Sequence, residues 1–231
     1  MSKFNTSLSI GEIVASLPKA SEVFKKYHID FCCGGNRLLS EAIKEQQLNE
    51  DEILQELDEA EKETEAYKNQ TDFVKLSRNE LIDYIVSTHH SFLKITLPEI
   101  SELTTKILRV HGTNHEELFQ VHKLFHNLKT DLDQHLIKEE ELLFPLIKEY
   151  DQEPSKELLA KISNVMSETE SEHEAAGDIL KELRRITKDF VVPDDGCNSF
   201  RLTYDKIQEL EADLFQHIHL ENNILFKHLE S

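Results

Sequence analysis

HLIKEEELLFP, residues 135–145, aligns without a gap with HIHLENNILFK, residues 217–227. Each segment gives a histidine, a glutamate four residues on, then an aliphatic pair and a phenylalanine. The spacing alone carries no weight: with 45 acidic residues among 231, about two of 12 histidines should meet an acid at that distance by chance, and two do. Placement is what sets these two apart. Working outward from the first segment, core-type residues recur at steps of three and four through Leu118, Val121, Phe125, Leu128, Leu132, His135, Glu139, Leu142 and Leu146. That is the period of one helix face. The second segment continues Ile207, Leu210, Leu214, His217, Glu221 and Ile224 in the same way.

Two further stripes carry single histidines. One runs Ile82, Val86, His90, Leu93, Leu97, Ile100; the other runs Leu159, Ile162, Met166, Thr169, His173, Ala176, Leu180, Leu183. His90 precedes His135 by 45 residues and His173 precedes His217 by 44, so a helical hairpin is used twice. Long helices are predicted over 78–110, 114–150, 155–188 and 198–229, the first opened by a Ser77–Glu80 capping box. Short connections around Gly112 and Asp151–Pro154 make neighbours antiparallel, which gives a four-helix bundle. Pro145 should kink the second helix just past His135 and Glu139.

The stripes turn four histidines and two glutamates inward. An ionised glutamate is almost never fully buried without a partner, and His–Glu hydrogen bonds alone would leave too much charge desolvated. The set His90, His135, Glu139, His173, His217 and Glu221 is therefore expected to bind metal. Mixed imidazole and carboxylate ligation suits iron first, then manganese or zinc. Six ligands suit two ions, each half giving one ion its two histidines, with Glu139 and Glu221 as bridges and room left for an anionic bridge, oxo or hydroxo, or for a small-molecule ligand. Glu140 falls off the stripe, His89 lies at its edge, and His111, His115, His122 and His126 read as surface. His219 and His228 have no counterpart in the other half.

The rest of the chain sets the context. Scarce glycine and proline, 7% aromatics and abundant Glu, Lys and Leu indicate an all-α protein. A net charge of −19 repels phosphate backbones and disfavours nucleic acid. No apolar stretch approaches the roughly 20 residues that span a bilayer, and no signal-peptide pattern is present, so a cytoplasmic protein is expected. Residues 1–66 read as a small helical domain, 67–76 as a polar linker and 77–231 as the bundle. Within the small domain, Ser16 with Pro18 suits a helix start, and Asn49 with Glu52 suits a capping box. Phe31-Cys32-Cys33-Gly34-Gly35 must be a loop, its glycines admitting close approach of another group. Adjacent cysteines bridge only through a strained ring, so Cys32 and Cys33 are expected as thiols, candidates for transfer chemistry. Cys197 is expected to pack or cap before the last helix.

These segments, with STHHSFLKITLPEI, SEHEAAGDIL, YHIDFCCGG and GCNSFRLTYDKIQELEADLFQHIHLENNILF, resemble the hemerythrin-like di-iron proteins that repair iron–sulfur clusters, the ScdA and YtfE group. The pattern is nearest to the staphylococcal type and covers nearly the whole chain. The resemblance implies His90, His135, His173 and His217 as terminal iron ligands and Glu139 and Glu221 as bridges. It further implies a cytoplasmic homodimer that restores iron–sulfur proteins damaged by nitric oxide or oxidants. It does not choose between iron delivery and nitric oxide handling, nor does it settle whether turnover occurs. Gly177 stands where an oxygen-carrying hemerythrin has a further histidine, so the site should be less saturated and more labile. A carrier or sensor of oxygen or nitric oxide is the competing reading; a ferritin-like oxidase, rich in Glu-x-x-His pairs, is disfavoured.

Overall fold

The computed structural model describes residues 4–66 and 71–230. Its elements are helical, with a single Ser9–Leu38 bridge as the only β-type pairing among the described residues. By compactness the chain falls into two units, Met1–Leu81 with Phe215–Ser231, and Ile82–Leu214.

In the first unit, α1 (Ile10–Ser16), α2 (Ala20–Lys26), α3 (Leu39–Gln46) and α4 (Glu50–Ala66) enclose a core that includes Ile13, Phe24, Phe31, Leu39, Ile53 and Leu57. Ser9 and Glu12 close a reciprocal cap on α1, with Glu12 N–H donating to Ser9 Oγ at 3.2 Å and Ser9 N–H to Glu12 Oε2 at 2.9 Å. Such a cap stabilises a helix by about 1 kcal/mol. Asn49 caps α4 as expected, its Oδ1 accepting from the Asp51 and Glu52 amides. Ser16 does not start a helix. It is the last residue of α1, and its hydroxyl donates to the Glu12 and Ile13 carbonyls, so the break before Pro18 ends one helix instead of capping the next. Residues 67–70 of the expected linker lie outside the described residues; Phe73–Lys75 forms a short 3-10 turn. Ser77 and Glu80 make the expected box at the start of α5 (Arg78–Ile85).

The second unit holds α6 (Ser91–His111), α7 (Glu117–Lys138), α8 (Phe144–Gln152), α9 (Lys156–Thr187) and most of α10 (Asn198–Leu220). Lys94 meets Glu140 while Thr105 meets His122, so α6 and the following helix run antiparallel. His135 meets Glu172 while Lys138, further along α7, also reaches back to Glu168, which makes α9 antiparallel to α7. Arg184 forks onto the buried Glu211 carboxylate and fixes α9 on α10. A last short helix, α11 (Lys227–Glu230), ends the described chain.

The long helices are not continuous α-helix. Val86–His90, Glu139–Leu143 and Glu221–Leu225 are π turns. At the latter two the glutamate carbonyl accepts from the amide five residues on, Phe144 and Phe226. The extra residue rotates the following face. This corrects the expected stripe: Leu142 is 44% exposed, whereas Leu143, Phe144 and Ile147 are buried. Val86 is likewise only half-buried, with Ile85 in the core before His90. Pro145 is the second residue of α8, one residue past the second π turn, in the first turn of the helix where proline is tolerated.

Candidate metal centre

Each expected ligand lies in or beside these irregular turns, or midway along α9. His90 closes the first π turn, Glu139 opens the second and Glu221 the third. His135 and His217 stand one turn before their glutamates, and His173 lies in the middle of α9. All six are buried, with 0% exposure at His90, Glu139, His217 and Glu221.

Their ligand atoms form two groups, each with its members within 4.8 Å of one another. One group is His90, Glu139, His217 and Glu221; the other is His135, Glu139, His173 and Glu221. Both glutamates thus belong to both groups, as bridging carboxylates must. His90 Nε2 and His135 Nε2 each lie 3.3 Å from Glu139 Oε2, and His217 Nε2 lies 3.1 Å from Glu221 Oε1. His173 Nε2 is 3.2 Å from His135 Nε2. The pairing differs from the expected one, in which each hairpin serves one ion. Glu139 stands between the two histidines of its own hairpin, so His90 and His135 face different partners across the helix repeat.

The donor set fits a pair of ions. Taking two carboxylates fully out of water costs several kcal/mol each unless positive charge lies between them. Four imidazole Nε2 atoms and shared carboxylates match divalent ions that accept nitrogen and oxygen ligands.

Two carboxylates missed by the sequence reading hold the histidines in place. His90 Nδ1 lies 2.7 Å from Glu140 Oε1, and His135 Nδ1 lies 2.8 Å from Glu172 Oε2. Lys94 grips Glu140 and Lys138 grips Glu172, each at 2.7 Å. A carboxylate on Nδ1 fixes the tautomer that presents Nε2 inward. Burial works against the Glu140 charge, but Lys94 and His90 still hold its carboxyl below the ordinary range. Glu172 is held down at about 2, chiefly by His135 and then by Lys138 against the cost of burial. Glu140 is therefore not an idle off-stripe residue. The available signal was an acid adjacent to a ligand, Glu140 beside Glu139 and Glu172 beside His173, with Lys94 or Lys138 within four residues of the histidine.

The other candidates lie elsewhere. His89 is buried, with Nδ1 2.9 Å from Asp213 Oδ1 and its ring edge-on to Tyr84. His111, His115, His122 and His126 are partly exposed. Cys197 is exposed, so it caps without packing: its carbonyl accepts from the Arg201 amide at the start of α10. His111 Nε2 lies 3.2 Å from its sulfur and, with the Phe200 and Ser199 amides, draws the thiol down to about 7. Cys32 and Cys33 are thiols with no disulfide between them, their sulfurs 3.8 Å apart, and neither belongs to the metal groups. Asp30 Oδ1 accepts from the Cys32 and Gly34 amides and shapes the loop. Cys32 is buried and its thiol is pushed well up, first by its hydrogen bond with Cys33 and then by burial. Gly177 is buried one turn after His173.

Comparison with known proteins agrees with this layout. Residues 80–229 match the hemerythrin HHE cation binding domain, and residues 6–61 match ScdA_N, described as a domain of unknown function (DUF542). The chain is 31% identical over 218 residues to the iron-sulfur cluster repair protein ScdA of Staphylococcus haemolyticus, covering 94% of this chain and 95% of that protein. It is 35% identical to a probable iron-sulfur cluster repair protein of Haemophilus influenzae and 37% identical to the iron-sulfur cluster repair protein YtfE of an Enterobacter species. Each of these two matches covers 94% of both chains.

Proposed function

Because this chain belongs to the hemerythrin-type family of iron–sulfur cluster repair proteins, we propose that it restores clusters damaged by nitrosative or oxidative stress. The observation that carries the reading is the pair of buried ligand groups sharing Glu139 and Glu221. The resident group would be two iron ions, which would supply exchangeable ferrous iron and a place for nitric oxide or oxygen to bind.

His90, His135, His173 and His217 would hold the ions, with Glu139 and Glu221, which belong to both ligand groups, shared between them. Glu140 with Lys94, and Glu172 with Lys138, orient two of the imidazoles and keep a proton on their Nδ1 atoms. Gly177 offers no ligand after His173, so the centre stays short of saturation, which suits iron release better than storage. The Cys32 and Cys33 thiols are the proposed transfer groups, soft enough to take up iron or nitric oxide in passing. The division into a domain over 1–66, a linker over 67–76 and a bundle over 77–231 is supported by the two separate family matches. A cytoplasmic homodimer acting on damaged iron–sulfur proteins completes the reading; none of the described helices is long and apolar enough to cross a membrane.

The test uses a dehydratase inactivated by nitric oxide. Iron-loaded protein should restore its activity faster than an equal amount of free ferrous iron, and Cys32→Ser with Cys33→Ser should lose much of that advantage while keeping iron. No advantage over free iron would favour a carrier or sensor of oxygen or nitric oxide.

A further inference from the structure

The internal repeat is broken on one face of the last helix. Asp133, Ile137 and Glu141 in the first copy correspond to Phe215, His219 and Asn223 in the second. Ile137 is 57% exposed and Glu141 is exposed, as an outward face should be. Their counterparts instead meet the cysteine loop. Phe31 sets its ring edge-on to both Phe215 and His219, at 6.1 Å in each case. His219 is 1% exposed, its ring packed against that of Phe31. Asn223 Nδ2 donates to the Cys32 carbonyl at 3.0 Å and more weakly to the Phe31 carbonyl at 3.4 Å.

Two glycines make room for this side chain. A Cβ at Gly35 would lie 2.4 Å from Asn223 Oδ1, and one at Gly11 would lie 2.5 Å from the same atom. The Gly11 amide donates to the Gly35 carbonyl at 2.6 Å, so the cradle is itself tied together. Asn223 belongs to the π turn Glu221–Leu225, two residues after Glu221.

We propose that Asn223, backed by His219, is a positioning residue that seats the Cys32–Cys33 loop on the turn carrying Glu221, so that the state of that turn sets how accessible the thiols are. The coupling to metal rests on the reading of Glu221 as an iron ligand. Without metal, the buried Glu221 carboxylate loses its counter-charge and the turn opens more often. With metal bound, the turn is held by mass action, and the loop stays seated on Asn223. Buried Cys32 is then protected in loaded protein and becomes reactive as iron leaves.

The experiment measures alkylation of Cys32 and Cys33 by iodoacetamide, mapped by mass spectrometry, in the full chain with and without ferrous iron. Metal-free wild type should label Cys32 about tenfold faster than loaded wild type. Asn223→Ala breaks the contact from the helix side, and Gly35→Ala breaks it from the loop side. Both should label faster than metal-free wild type, at a rate independent of iron, while binding as much iron as wild type. Circular dichroism should show helix content unchanged. Loaded variants protected as well as loaded wild type would overturn the assignment of Asn223, and equal labelling of wild type in both states would overturn the coupling. Failure of the metal reading shows separately, as wild type that takes up at most one iron. The seating is then decided in metal-free protein: faster labelling of Asn223→Ala than of wild type supports it, and equal rates overturn it.

Discussion

Glu140 and Glu172 do the same work, each bonded to a ligand histidine on one side and to a lysine on the other. Replacing either by glutamine keeps its volume but removes the charge that fixes the imidazole. Loss of such a group typically weakens metal binding about 10- to 100-fold. Competition with a chelator should show that loss for Glu140→Gln and Glu172→Gln, while the exposed neighbour Glu141→Gln stays at wild-type affinity. Equal affinities for all three would mean that the two histidines are aimed by packing alone. At this scale the sequence was legible where a polar residue interrupts an apolar stripe, which is how His90, His135, Glu139, His173, His217 and Glu221 stand out. It was opaque where a half-exposed acid reaches across to another helix. The partner of His90 lies 50 residues away and no periodicity connects the two.

The helices themselves were readable to within a few residues, because steps of three and four persist over many turns and Ser77 and Asn49 mark starts. The π turns were not. EEELLFP supports a core residue at Leu142 or at Leu143 equally well, and only packing decides. Since π turns occur beside His90, at Glu139 and at Glu221, the irregularity coincides with the ligands. Such turns often mark functional sites. Deleting the exposed Leu142 should turn the second π turn into α-helix and return Leu143, Phe144 and Ile147 to ordinary spacing. Circular dichroism should then show a folded helical protein, whereas metal affinity should fall about tenfold or more as Glu139 loses its aim. Unchanged affinity would show that the π turn has no part in presenting the carboxylate.

On the scale of the molecule, the chain combines a polyanionic surface with a centre that needs positive charge at its core. The net charge of −19 disfavours nucleic acid and leaves damaged iron–sulfur proteins as the proposed clients. Duplication supplies the architecture: one hairpin pattern used twice brings two equivalent ligand sets together, and the asymmetry at Phe215, His219 and Asn223 gives one copy a second task. All of the proposed chemistry depends on two metals sharing Glu139 and Glu221. The direct test is iron content with a Mössbauer spectrum of protein reconstituted anaerobically, alongside Glu139→Gln and Glu221→Gln. Wild type should hold two irons per chain as one coupled pair, and each glutamine variant should lose the coupling or the iron; wild type that holds at most one iron, or only zinc, would contradict the account.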